Sequence, residues 1–465
     1  MRKCFPLLTV LLLNTLLLAC GDRSDGAFSD PKVILIIGDG MDDQQITIAR
    51  NYLVGSNGQL TLDQLPYRGA VQVQTVDEDD PSKPVYVADS ANSATSMATG
   101  RVTATRRIAT TAKTDEDLTT IMELAHAAGL GTGIVTTSSI TDATPASFVA
   151  HISQRFCEGP TNMVGERSYG AFSIPVDCSS DYKANGGPGS ISEQIAESDV
   201  DILLGGGTRH FEQSVEGNLG AMVIDIAELN GYMIIRDRQS LLGLDSDTKV
   251  LGLFSPNTMP VQMRGVGNAK AEPIQTIDGQ VRMPEPFTCE PNPDFFGTPR
   301  LAEMTQAALR HLDDNRGFVL MIESASIDKQ SHVRRPCGHI GELAQLDEAL
   351  RVSLDYAAEH PETLILVTAD HSHAAQIVDE TSTFASLNFA SPGHFARLIT
   401  PDGAIMGINY ATNDSPIMEY HTGSQVPIFG SGPGIDLLPT FMRQTDIFRI
   451  AARHLGLTDN ADSSK

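Results

Sequence analysis

The residues best suited to chemistry come in short polar groups that follow apolar runs. Gly38-Asp39-Gly40 sets a carboxylate between two glycines, which let the backbone pass close to a ligand. Taken alone, it reads more readily as a turn carboxylate. Asp370-His371-Ser372-His373 joins a carboxylate to imidazoles, hard and borderline donors that suit zinc. Glu323, Asp328 and His332 form another group, and the spacing from Asp328 to His332 puts both on one face of a helical turn. His421, in Tyr420-His421-Thr422-Gly423-Ser424, offers an imidazole from a late loop. Burying so many acids and histidines without a cation is costly, so together they predict a metal centre.

Ser90 lies in a run of small residues, Ala88-Asp89-Ser90-Ala91-Asn92-Ser93-Ala94, with spacing compatible with a helix. Asp89 is a candidate N-cap. Ser90 would then occupy the first turn, where free amides and the helix dipole favour an anion. A tightly packed helix of small residues is the competing reading.

These groups need elements that bring them together. Apolar, β-rich runs at 33–37, 70–75, 133–137, 201–204, 233–236, 318–322 and 363–368 alternate with helical patterns at 118–128, 300–312, 341–359 and 445–454. Several strands are apolar without alternation, which implies burial on both faces. The expected fold is a three-layer α/β sandwich around a largely parallel sheet. Ligands in such sheets collect at the carboxyl ends of the strands, where the polar groups fall. Residues 379–414, rich in Ser, Pro, Gly and Asn, break the alternation and read as an insertion; 458–465 read as a disordered tail.

The N-terminus follows a different logic. Arg2 and Lys3 precede an apolar run too short to span a bilayer, which predicts an export leader over 1–19. Leu17-Leu18-Ala19-Cys20 resembles a bacterial lipobox, so Cys20 would carry lipid, with 20–30 as a tether; cleavage as a plain signal peptide is the alternative. Cys157, Cys178, Cys289 and Cys337 remain as two locally spaced pairs, suggesting disulfides in an oxidising compartment. They contain no C-x-x-C pair to favour zinc. A net charge of −25 argues against nucleic acid as a partner. It also repels anionic substrates at long range, so attraction must be built locally.

Ile36-Ile37-Gly38-Asp39-Gly40-Met41, Asp89-Ser90-Ala91, Asp142-Ala143-Thr144-Pro145-Ala146, Ile327-Asp328-Lys329, Thr368-Ala369-Asp370-His371 and His421-Thr422-Gly423-Ser424-Gln425 together resemble the bacterial alkaline phosphatases, in that family's order. The resemblance runs over 32–456. It implies a phosphomonoesterase with two zinc ions and one magnesium per subunit, and Ser90 as nucleophile through a phosphoserine. Asp328, His332 and His421 match ligands of one zinc. Asp39, Asp370 and His371, joined by Ser90, match the other. Asp39, Thr144 and Glu323 match the magnesium ligands. Arg155 matches the phosphate-binding arginine, oriented by Asp89; Asp142, Lys329 and His373 match outer positions. The resemblance also implies Cys157–Cys178 and Cys289–Cys337 disulfides, a homodimer, and a periplasmic or outer-membrane setting.

With this ligand set, an ionised Ser90 and Arg155, the filled pocket would carry about +2, matching a phosphate monoester dianion better than a sulfate or diester monoanion. Arg155's planar fork suits two nonbridging oxygens, which a diester presents less freely. Asp42 stands where the family commonly has glycine and is expected to face solvent. Asn92, Met97 and Ser324 are smaller departures, and none removes a ligand. A phosphodiesterase or sulfatase of the same superfamily is the alternative enzyme, although Ser90 lacks a sulfatase C/S-x-P-x-R setting. A non-catalytic phosphate or metal binder would require a missing ligand or nucleophile.

Overall fold

A computed structural model describes residues 30–457, apart from 170–171, 314–315, 380–391 and 414. The leader, Cys20 and the tail lie outside these residues, as does part of 379–414.

Ten strands build the central sheet: β1 (Lys32–Gly38), β2 (Tyr67–Gln72), β3 (Gly131–Ser139), β4 (Ile202–Gly206), β5 (Met233–Ile235), β6 (Val250–Leu253), β7 (Phe318–Ser324), β8 (Thr363–Ala369), β9 (Val426–Ser431) and β10 (Phe441–Arg443). Their spatial order is β5-β6-β4-β3-β7-β1-β8-β9-β2-β10. All neighbours run parallel except β9, which is antiparallel to both β8 and β2. Every residue of β1, β7 and β8 is buried, as continuous apolar strands covered on both faces must be.

Eight helices matter for the site: α1 (Asp43–Val54), α2 (Ser90–Thr99), α3 (Ile121–Ala127), α4 (Ala143–Ala146), α5 (Leu301–Leu312), α6 (Ser326–His332), α7 (Pro336–Glu359) and α8 (Gln444–His454). One layer packs α7 against α1 and α5; the other packs α2 against α8 and α4. Layers and sheet agree with the expected α/β sandwich. The 70–75 run differs from expectation, because β2 starts earlier and a two-residue strand, Thr75–Val76, pairs elsewhere. Periodicity also passed over β6, β9 and β10: β6 is interrupted by Gly252, β9 by Pro427 and Gly430, and β10 has only three residues.

The described part of 379–414 contributes the hairpin His394–Ile399 and Ile405–Tyr410. It joins Glu272–Pro273 and Gln376–Val378 in a separate four-stranded antiparallel sheet. Disulfides link Cys157 to Cys178 and Cys289 to Cys337. They fit an oxidising compartment. Among the described residues no helix is long and apolar enough to cross a membrane.

Candidate active site

The site sits where β3, β7, β1 and β8 end side by side. Register pairs Gly38 with both Ser324 and Ala369, so Asp39 and Asp370 leave adjacent strands together. Glu323, expected just after a strand, is still within β7 and opposite Ile37. Gly40 is required on two counts. Its φ is 69°, and a Cβ there would lie 3.1 Å from the Asp328 backbone. Its amide donates to Asp370 Oδ1 at 2.9 Å, locking the two strand ends together.

Ser90 is the first residue of α2. Asp89 caps that helix, accepting from the Asn92 amide at 3.2 Å, while Asn92 Oδ1 accepts from the Asp89 amide at 2.9 Å. Asn92, a departure from the family pattern, thus completes a capping box. Ser90 Oγ lies 3.3 Å from His371 Nε2 and 3.5 Å from Asp39 Oδ1.

α6 keeps the i, i+4 geometry: His332 Nε2 is 3.2 Å from Asp328 Oδ1. His373 Nε2 and His421 Nε2 approach the same oxygen at 3.1 and 3.3 Å. The far ring nitrogens distinguish these imidazoles. Nδ1 of His332, His421 and His371 faces the carbonyls of Glu419 (2.5 Å), Ala88 (2.9 Å) and Ser372 (3.2 Å), so each carries its proton there. A bare Nε2 lone pair then points into the site. His373 is the reverse. Its Nδ1 accepts from the Ala374 amide at 2.7 Å, which leaves an Nε2–H facing Asp328.

Electrostatics demand a cation here. Asp39 and Asp370 are fully buried, and burial, with neighbouring carboxylates, raises both. Burial also lifts Glu323 to about 7. Asp328 is held well below the usual carboxylate range, since His332 and its fellow imidazoles override the effect of burial. Burial drops His332 to about 3 and His371 far down, keeping both neutral as ligands must be. Asp370 Oδ2 and Thr144 Oγ1 are buried without a hydrogen-bond partner. Donor atoms of Asp39, Asp328 and His371 lie within 4.8 Å of one another, as do those of Asp328, His332, His373 and His421. Lone pairs aimed at common points, with orphaned oxygens beside them, fit divalent metals.

Arg155 lies beside this centre, with Nη2 2.9 Å from Asp142 Oδ1 and Nη1 3.4 Å from Asp89 Oδ2. Lys329 Nζ takes the other Asp142 oxygen at 2.7 Å. Lys329 and Arg155 outweigh burial and hold Asp142 far below its ordinary value. Asp89, Ser90, Asp142, Arg155, Asp328, Lys329, His332 and His421 line one cavity of about 860 Å³.

The alkaline phosphatase family model matches residues 31–416. Streptomycin-6-phosphate phosphatase of Streptomyces griseus is 40% identical, over 91% of this chain and 90% of its own length. Alkaline phosphatase of Escherichia coli K12 is 38% identical, over 91% and 86%. The chain belongs to the alkaline phosphatase family. Alkaline phosphatases hydrolyse phosphate monoesters, and that is the activity of this chain; membership implies metal cofactors, which the donor set fits. The solved alkaline phosphatase of the Antarctic bacterium TAB5 shares the fold, with a TM-score of 0.67 at 23% identity over 92% of this chain and 99% of that one.

One expectation about this alkaline phosphatase is overturned. Asp42 does not face solvent: it is buried and caps α1, accepting from the amides of Gln44 (2.7 Å) and Gln45 (3.4 Å). Its other oxygen accepts a short hydrogen bond from Ser372 Oγ, which also contacts Thr422 Oγ1 at 2.8 Å. A carboxylate in place of glycine thus ties the Asp39 turn to the His371 and His421 loops. Sequence reasoning also missed Arg334 and Glu419. Glu419, fully buried, accepts from Arg334 Nε at 2.8 Å, and its backbone carbonyl orients His332. Each lies two residues from a site histidine, the one signal that could have marked them.

Proposed function

We propose that hydrolysis proceeds by double displacement through a phosphoserine on Ser90, at a centre of two zinc ions and one magnesium. The observation that carries this is the position of Ser90 Oγ, at the head of α2 and within 3.5 Å of both His371 and Asp39. Asp328, His332 and His421 would hold one zinc. Asp39, Asp370 and His371 would hold the other, with Ser90 beside them, and Asp39, Thr144 and Glu323 the magnesium. When bound, these ions would supply the positive charge that favours the Ser90 alkoxide and offsets the phosphoryl oxygens.

The chain's own residues do the rest. Arg155 presents its fork to two nonbridging oxygens, pre-aimed by Asp89 and Asp142. Lys329 balances Asp142, so Arg155 keeps charge for the substrate. His373 Nε2 faces Asp328 Oδ1 at 3.1 Å, an outer position beside that ligand. Ser90 Oγ, its proton passed to solvent, bonds to phosphorus as the ester P–O bond breaks, and the leaving alkoxide takes up a proton. Water then attacks the phosphoserine, phosphate departs, and Ser90 regains a proton. Two in-line inversions give net retention at phosphorus.

Export through the 1–19 leader, a lipid on Cys20 and a homodimer complete the reading, with 31–457 as the catalytic domain and 379–414 as an insertion within it. The phosphoserine is tested by acid-quenching the metal-loaded enzyme with labelled monoester. Label is expected on the parent and absent from Ser90→Ala; label on the variant would refute the assignment. Faster turnover of a matched aryl diester than of the monoester would favour a phosphodiesterase instead.

A further inference from the structure

The cavity above Ser90 is larger than a phosphate needs. At about 860 Å³ it falls among pockets that take whole small molecules, roughly 300–1,000 Å³. It extends to a second wall formed by Arg167, Arg209, Asn257 and Thr258. That wall is organised around a buried carboxylate. Glu158 is 7% exposed and accepts from Thr141 Oγ1 at 2.9 Å, with His210 Nε2 at 3.0 Å. Burial pushes Glu158 up, but His210 and Arg167 hold it below the ordinary glutamate value. Arg167 Nη1 and Arg209 Nη2 lie 3.6 and 4.0 Å from its Oε1. One carboxylate therefore lies between two guanidinium groups, each at more than hydrogen-bond length, and Arg209 Nε also donates to His210 Nε2 at 3.0 Å.

Arg106 lines the same cavity from the Ser90 side. Its backbone is left-handed, φ 72°, a conformation unfavourable for a non-glycine residue. Contacts with Asp89 and Arg155 hold it there. Its amide donates to both Asp89 oxygens at 3.0 and 3.1 Å, and its carbonyl accepts from the Arg155 amide at 2.8 Å. The cations that gather here run against a chain of net charge −25.

We propose that Arg167 and Arg209, with Arg106 opposite, form a subsite for a second anionic group on the substrate. The preferred monoesters then carry a carboxylate or another phosphate on the alcohol that leaves. This rests on Ser90 being the point of phosphoryl transfer. The arginines act on the leaving alcohol and set specificity, with most of their effect in KM.

The metal-loaded enzyme is assayed on alkyl phosphates of increasing chain length whose far end bears hydroxyl, carboxylate, phosphate or trimethylammonium. At the length that reaches the wall, kcat/KM for an anionic end is expected to exceed that for hydroxyl by about tenfold, shrinking with salt, and the ammonium ester is expected to be poorest. Carboxylate and phosphate arms identify which anion fits. In Arg167→Ala/Arg209→Ala the anion-to-hydroxyl ratio falls toward one, and Arg167→Lys/Arg209→Lys keeps most of it. Arg106→Asn, a residue that tolerates left-handed backbone, also lowers the ratio and serves if the double variant does not fold. A parent without preference, or a ratio that no variant moves, overturns the subsite and leaves Ser90 in place. A parent inert toward every ester overturns both.

Discussion

Arg334→Met is the most informative perturbation outside the ligand set. Arg334 and Glu419 form an ion pair at 2.8 Å with side chains only 6% and 0% exposed. Methionine keeps much of the aliphatic packing and removes the charge, leaving Glu419 buried without a cation. Breaking such a pair costs about 3–5 kcal/mol. Glu419 retains Thr412 Oγ1 at 2.7 Å and Asn413 Nδ2 at 3.3 Å, so the lower end, about 3 kcal/mol, is expected. The damage should reach the metal centre, because Glu419 is bonded to His332 through both its carbonyl and its amide, the latter at 2.9 Å. Loosening an outer partner of a ligand typically weakens metal binding by about tenfold or more. Urea denaturation gives the stability, and zinc titration against a competing chelator gives the affinity. Adding Glu419→Gln should recover at least half of the lost stability, since no buried charge then remains. A single-variant loss under about 1 kcal/mol with unchanged zinc affinity would refute the idea that this pair holds His332.

Glu342 is buried behind the site, and burial lifts it from 4.5 to about 7. The folded state then holds a proton that the unfolded state releases, so stability falls as pH rises from about 4.5 to 7 and levels off above. Glu342→Gln is therefore expected to gain up to about 3 kcal/mol on the parent at pH 8 and little at pH 4.5; an equal difference at both, by urea denaturation, contradicts the shift. Chelation should abolish turnover and lower thermal stability, because Asp39 and Asp370 lose the charge that offsets their burial, and zinc with magnesium should restore both. Full activity in excess chelator would rule out a metal centre.

Much of the site could be read from local chemistry. The Asp328–His332 spacing is a helical repeat, and Asp89 before a small-residue run is a helix cap, so α6 and the start of α2 follow from nearest neighbours. Continuous apolar runs marked β1, β7 and β8, and the polar residues after them marked the end of the sheet that binds ligand. Asp42 could not be read this way. Its burial depends on Ser372, far along the chain, which meets it only because β1 and β8 are neighbours. The same holds for Glu158, whose partners Thr141, His210 and Arg167 come from separate segments.

The sequence alone determined which residues carry chemistry and which strands had to be buried, since residue type and period are local properties. Tertiary structure decided which histidine does what. The carbonyls of Glu419, Ala88 and Ser372 take the Nδ1 protons of His332, His421 and His371, whereas the Ala374 amide donates to His373. An imidazole offers either nitrogen, and the backbone group that folding brings to one nitrogen determines whether the other can bind a metal or only donate a proton.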